Sequence, residues 1–221
     1  MKTIDLPRGV TAAYDDVGVG TPVVLLHAFP FDRGMWEPQQ QPLAAAGYRV
    51  LTPDLPGFGG TTAGAEPFSI DAGADVVAAF LDALGVTTAV VGGLSMGGYV
   101  AMAVARRHPG KLAGLILADT KAAPDDEAGR ANRDKLIEKV TGEGVGPLVD
   151  AQLPKLLSEH THASNPAVVR VVETIGKRQA PQGVIGGLAA LRDRPDAAPD
   201  LPRVGVPTLI LVGEHDEVTP P

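Results

Sequence analysis

One serine, Ser95, lies at the centre of the pentapeptide Gly-Leu-Ser-Met-Gly, residues 93 to 97. The apolar run from Ala89 to Gly92 predicts a buried strand before it, and a helical pattern begins at Met96 directly after it. A serine at such a turn adopts a strained backbone conformation that points its hydroxyl outward, and the flanking glycines leave room for the turn. The spacing alone is weak evidence in a chain with 27 glycines. Together with the strand and the helix, it predicts a nucleophile.

A serine nucleophile needs a base, a group that orients the base, and donors for the developing oxyanion. In open parallel sheets, such groups lie on loops at the carboxyl ends of the strands. The loop after the apolar run from Val23 to Leu26 has the sequence His27-Ala28-Phe29-Pro30. We expect the backbone N–H groups of Phe29 and Met96 to form an oxyanion hole.

We expect the acid of the same site after the last apolar run, in the loop Gly213-Glu214-His215-Asp216. Asp216 is placed there to orient a histidine. The alternative interpretation is that the Asp216 carboxylate only caps its own loop. Asp119, at the end of the preceding predicted strand, is the rival acid and is expected to be structural. Three further residues are expected to have structural roles: Asp54 in a turn, and Met35 and Trp36 in the core.

The elements that must position these residues alternate between strand and helix. Residues 3 to 18 predict a hairpin around Pro7-Arg8-Gly9. Five apolar runs predict strands covered on both faces: Val23–Leu26, Arg49–Thr52, Ala89–Gly92, Leu115–Ala118 and Thr208–Val212. Helices are predicted over Ser69–Leu84, with a serine cap, and over Met96–Arg107. The alternation predicts an α/β fold, a mostly parallel sheet with helices on both faces.

This alternation stops between Asp119 and Pro207, where no clear strand occurs. Four helical patterns fill the stretch, at residues 125–140, 145–157, 166–177 and 182–191. The stretch is too long for a loop and predicts an inserted helical cap that covers one edge of the sheet. We therefore divide the chain into a first part of the core (1–121), the cap (122–200), and the strand and acid loop of the core (201–221).

Composition and charge narrow the class of protein. The 221 residues, 44% hydrophobic and 20% charged, are typical of one soluble globular unit. A formal net charge of −7 argues against nucleic acid or an anionic membrane as partner. The absence of cysteine excludes disulfides and thiolate chemistry. We expect no metal, no cofactor and, without a signal or membrane-spanning run, a cytoplasmic location. Formation of a homo-oligomer stays open.

Four segments in order carry a specific resemblance: His-Ala-Phe-Pro (27–30), Asp-Leu-Pro-Gly-Phe-Gly-Gly-Thr (54–61), Gly-Leu-Ser-Met-Gly-Gly (93–98) and Gly-Glu-His-Asp (213–216). The chain resembles the α/β-hydrolase superfamily, and within it the bacterial carboxylesterases and 3-oxoadipate enol-lactonase-like enzymes. The resemblance implies an α/β-hydrolase fold with Ser95 as nucleophile, Asp216 as triad acid and the N–H groups of Phe29 and Met96 as oxyanion donors. It implies a small-molecule ester or lactone as substrate. Thioesterase, C–C hydrolase and perhydrolase chemistry use the same apparatus and remain open.

One departure from the family pattern concerns the base. The family's triad histidine follows a further strand and loop beyond the acid, whereas the sequence stops at Pro221, five residues after Asp216. We therefore expect the chain to be a shortened form of a longer hydrolase that lacks the final strand, the final helix and the catalytic histidine. We expect the serine of the chain as written to be weakly activated. Loss of the final strand and helix would expose apolar sheet surface. A ligand-binding protein without turnover is the alternative from another functional class.

Overall fold

A computed structural model describes residues 1–221. Its centre is one seven-stranded sheet with the spatial order β1-β2-β4-β3-β5-β6-β7. The strands are β1 (Lys2–Leu6), β2 (Val10–Val17), β3 (Thr21–Leu26), β4 (Tyr48–Pro53), β5 (Ala89–Leu94), β6 (Leu112–Ala118) and β7 (Thr208–Leu211). Strand β2 pairs antiparallel with both β1 and β4. The pairs β4–β3, β3–β5, β5–β6 and β6–β7 are all parallel. The predicted α/β fold is confirmed.

Three helices belong to the core and five lie between β6 and β7. The core helices are α1 (Glu37–Ala45), α2 (Ile70–Ala83) and α3 (Met96–Arg107). The others are α4 (Glu127–Glu143), α5 (Gly146–Leu156), α6 (Glu159–Ser164), α7 (Pro166–Lys177) and α8 (Pro181–Arg192). Ser69 caps α2 as expected, because its hydroxyl accepts a hydrogen bond from Ala72 N–H at 3.1 Å. None of these helices has the length and apolar character needed to span a membrane.

The five inserted helices are together called the cap, and two of them contact loops at the carboxyl ends of the strands. A Cβ built on Gly183, at the start of α8, would lie 1.8 Å from the carbonyl oxygen of Gly57. A Cβ built on Gly176 in α7 would lie 3.3 Å from the ring of Phe31, in the loop after β3. The cap therefore touches the loops that follow β3 and β4.

The expectation that all five apolar runs are covered on both faces is wrong for the last one. Leu209, Ile210 and Leu211 of β7 are 51%, 70% and 49% exposed. This strand pairs only with β6. The four other runs are largely buried, with Val24, Leu26 and Val91 almost completely removed from solvent. Apolar composition alone did not distinguish a central strand from an edge strand.

Candidate active site

The backbone at Ser95 has the strained geometry that the sequence predicts. Its φ of 52° and ψ of −111° lie in a region that residues with a side chain rarely adopt. Two hydrogen bonds hold this backbone in place. The Ser95 N–H donates to Ala118 O, at the end of β6, at 3.0 Å, and Thr120 Oγ1, two residues beyond β6, donates to Ser95 O at 3.0 Å. The serine is half-buried at the head of α3. Its conformation is fixed by the fold before any ligand binds.

Two glycines permit this turn because backbone passes where their side chains would stand. A Cβ on Gly93 would lie 2.1 Å from the carbonyl carbon of Gly97. A Cβ on Gly97 would lie 2.2 Å from Leu26 O and 2.9 Å from His27 O. The first turn of α3 is therefore pressed against the end of β3, and the loop after β3 begins directly beside the serine.

The loop after β3 contains backbone donors without an acceptor, and Phe29 N–H is one of them. Ala28 N–H donates to Met35 Sδ at 3.2 Å and Phe31 N–H donates to Ala28 O at 2.9 Å, whereas Phe29 N–H has no acceptor within the chain. Met96 occupies the first position of α3, where backbone N–H groups lack partners within the helix. Strands β3 and β5 pair in register up to Leu26 and Gly93, so both donors follow adjacent strand ends.

His27 is completely buried and both of its ring nitrogens are engaged. Nε2 accepts a hydrogen bond from Leu55 N–H at 2.9 Å, so Nδ1 carries the hydrogen and donates to Ala28 O at 3.0 Å. Burial lowers the pKa of His27, because the charged ring would be poorly solvated. The ring therefore joins the loop after β3 to the loop after β4 and has no free nitrogen for proton transfer.

Two carboxylates lie close together, Asp216 in the acid loop and Asp119 directly after β6. Asp216 accepts hydrogen bonds from Val218 N–H at 2.7 Å, from Thr219 N–H at 2.9 Å and from Thr219 Oγ1 at 2.7 Å. Burial acts to raise the pKa of Asp216, but these bonds outweigh it and lower the pKa. Asp119, with φ of 40°, accepts from Gly213 N–H at 2.7 Å. Burial and the nearby Asp216 carboxylate raise the pKa of Asp119.

None of the five histidines makes a hydrogen bond with Ser95 Oγ in the described structure. His108, at the far end of α3, lies 2.7 Å from Asp75 Oδ1 through its Nε2. His160 is exposed and His162 is half-buried, both within α6 of the cap. His215 is exposed beside Asp216. The structure therefore brings the candidate nucleophile and donors to adjacent strand ends, while the candidate acid follows β7, two strands away.

Sequence analysis missed a buried carboxylate in the loop after β3. Asp32 is 1% exposed and receives hydrogen bonds from Gly34 N–H and from the side chains of Arg178 and Gln179 in the cap. The only local signal is an Asp two residues before a glycine, which is typical of a capping turn. Asp54, expected in a turn, accepts from the N–H groups of Arg33 and Gly60.

With this geometry established, comparison with known proteins identifies the family. Residues 21–221 match the family described as alpha/beta hydrolase fold. The chain belongs to this family, and its chemistry is that of a hydrolase of the α/β-hydrolase type.

Similar proteins include several esterases. A thermophilic esterase from Thermogutta terrifontis, solved with malate bound, is 38% identical with a TM-score of 0.96; the match covers 100% of this chain and 83% of that one. The enol-lactonase from Burkholderia xenovorans LB400 is 27% identical with a TM-score of 0.91, covering 100% and 84%. A pimeloyl-[acyl-carrier protein] methyl ester esterase from Neisseria meningitidis is 32% identical over 209 residues, covering 90% of this chain and 77% of its own length. The resemblance to bacterial esterases is therefore confirmed.

Proposed function

We propose that the protein hydrolyses a carboxylic ester or lactone through an acyl-enzyme on Ser95. The observation that carries this proposal is the strained Ser95 backbone at the head of α3, beside a loop with an unpaired Phe29 N–H. Similarity to esterases and an enol-lactonase supports the same class of substrate. The resemblance assigns Asp216 as the acid that orients a base and Met96 N–H as the second oxyanion donor.

In this mechanism, Ser95 Oγ attacks the carbonyl carbon and loses its proton to a general base. The π electron pair moves to the carbonyl oxygen, which the N–H groups of Phe29 and Met96 stabilise. Collapse of this intermediate breaks the bond to the leaving oxygen, which takes the proton from the base and becomes an alcohol. This alcohol departs when the substrate is an ester and stays attached to the acyl group when the substrate is a lactone. Water then attacks the acyl-enzyme by the same path, releasing the acid and restoring Ser95.

Labelling with a fluorophosphonate tests this proposal, because the reagent forms a bond only with an activated serine. We expect peptide mapping to find the label on Ser95, and Ser95→Ala to abolish it. Added imidazole should speed labelling if the site has room for an external base. Ser69→Ala is the matched control, since Ser69 caps α2. A protein that stays unlabelled with and without imidazole, or a Ser95→Ala variant that still labels, contradicts the proposal.

A ligand-binding protein without turnover is the second candidate function. The lack of a histidine hydrogen bond to Ser95 favours it. Such a protein would bind a small ester saturably, which a change in fluorescence of Trp36, the single tryptophan, would report. Saturable binding with neither labelling of Ser95 nor release of alcohol would favour this candidate over the hydrolase.

A further inference from the structure

A buried carboxylate connects the cap to the loop after β3. Arg178, directly after α7, binds Asp32 with both arms of its guanidinium: Nε lies 2.7 Å from Oδ2 and Nη2 lies 2.5 Å from Oδ1. The next residue, Gln179, donates from Nε2 to Asp32 Oδ2 at 2.7 Å. Together with Gly34 N–H, these donors give the carboxylate four hydrogen bonds. Two of the three donor residues belong to the cap.

Gln179 also reaches a third segment. Its Oε1 accepts from Gly59 N–H at 2.9 Å, and its Nε2 donates to Ile175 O at 2.8 Å. Since Gln179 is 4% exposed, these bonds lie in a place that water does not reach freely. One amide therefore joins the cap to the loops after β3 and after β4, which flank the candidate site.

The cost of separating these partners is large because Asp32 is almost fully buried. Burial by itself raises the pKa of Asp32, but the bonds from Arg178, Gly34 and Gln179 outweigh burial and lower the pKa. A buried charge that loses its partner is strongly destabilising. Movement of the cap away from the core must therefore be accompanied by rearrangement or rehydration of the Asp32 segment.

The disturbed segment contains the candidate oxyanion donor. Asp32 lies three residues after Phe29, and the intervening Phe31 both donates its N–H to Ala28 O and packs with Ile175 of α7. The placement of Phe29 N–H thus depends on a loop whose shape is held from one side by the cap.

We propose that Asp32 is a positioning residue that couples the seating of the cap to the position of Phe29 N–H. The hydrogen bonds of Asp32 with Arg178 and Gln179 form only when the cap is seated on the core. The oxyanion hole is complete only while these hydrogen bonds are made. This inference rests on the proposed function for its catalytic consequence. Its structural half, the coupling of the cap to the loop, does not.

The catalytic consequence is tested from the cap side, without touching the loop. Saturation kinetics of Ser95 phosphonylation separate the binding constant of the reagent from the rate constant for bond formation. In the Arg178→Ala/Gln179→Ala variant we expect the rate constant to fall about tenfold or more, because small misplacement of a catalytic group is costly. The binding constant should change by less than about threefold, since reagent contacts are retained. Lys177→Ala is the matched control, because Lys177 pairs with Asp150 and Glu173 at the surface.

The structural half is tested by hydrogen exchange, which needs no reaction at Ser95. Backbone amides of residues 29–36 should exchange about tenfold faster in the Arg178→Ala/Gln179→Ala variant and stay unchanged in Lys177→Ala. Asp32→Asn should give the same acceleration if it folds. Faster exchange confined to the cap, or a bond-forming rate constant within twofold of wild type, overturns the proposal. An unlabelled wild type with faster loop exchange refutes the proposed function but leaves the coupling standing.

Discussion

Replacement of Gly97 by alanine should damage the turn that presents Ser95. The new Cβ would lie 2.2 Å from Leu26 O and 2.6 Å from the Leu26 carbonyl carbon, where ordinary contact begins at 3.4 Å. Both atoms belong to the backbone of β3, a strand paired on both sides with β4 and β5. No side-chain rotation can relieve the overlap, so the strand end and α3 must separate.

The cost of that separation sets the expected size of the effect. Overpacking in a dense core typically costs 1–3 kcal/mol, and contacts with rigid backbone belong at the upper end, so we expect a loss of about 3 kcal/mol in the free energy of unfolding. The separation also moves Ser95 away from the Phe29 loop. Labelling of Ser95 should therefore fall along with stability.

Urea unfolding followed by fluorescence of Trp36 measures the loss, with Gly142→Ala as control. Gly142 lies in the last turn of α4, where a Cβ would meet nothing within 4 Å. Alanine there should raise the free energy of unfolding by about 0.5 kcal/mol, because alanine favours the helix. If Gly97→Ala lies within 1 kcal/mol of wild type under a standard error of about 0.5 kcal/mol, the argument from backbone contact fails.

Three further predictions concern stability and association. Because burial lowers the pKa of His27, the unfolded chain binds a proton on this ring more readily than the folded protein does. The free energy of unfolding should therefore be steady above about pH 6.5 and decline as the pH falls toward about 5. His27→Gln should flatten this slope. Arg194→Met should lower the free energy of unfolding by about 3 kcal/mol in urea. The Asp125 side chain, which is 6% exposed and lies 2.8 Å from Arg194 Nη1, would lose one of its charged partners. Ile210→Lys should change stability by less than about 0.5 kcal/mol while reducing concentration-dependent light scattering, since Ile210 is an exposed apolar residue on the edge strand; unchanged scattering would show that the edge does not drive association.

Much of the fold followed from local pattern. The sequence predicted a strand over Ala89–Gly92 and a helix over Met96–Arg107, and α3 covers the same residues as that predicted helix. The α1 helix was missed because it lacks an apolar stripe and contains Pro38 and Pro42. Pro38 is tolerated in the first turn, where no intrahelical N–H bond is required. Tertiary contacts, not periodicity, stabilise this element.

Local pattern did not predict the Asp32 contacts, and the exposed apolar surface at β7 was expected only from the departure from the family pattern. A short apolar run has the same composition whether two neighbours or one pair with it, so Thr208–Leu211 gave no sign of its edge position. Asp32 and Arg178 meet only through the path of the whole chain, and no periodic signal connects them. The elbow at Ser95, by contrast, is built from consecutive residues, which is why its geometry was predictable.

The contact of Asp32 with Arg178 has a consequence for biosynthesis, because 146 positions separate the two residues. At a translation rate of roughly 5–20 residues per second, the loop after β3 emerges from the ribosome about 7 to 30 s before its partner exists. During that interval, the nascent chain holds an aspartate destined for burial that still has only water and its own Gly34 N–H as partners. Maturation of the Ser95 neighbourhood is therefore a late event, which must await synthesis of α7 even though the serine itself emerges well before that helix.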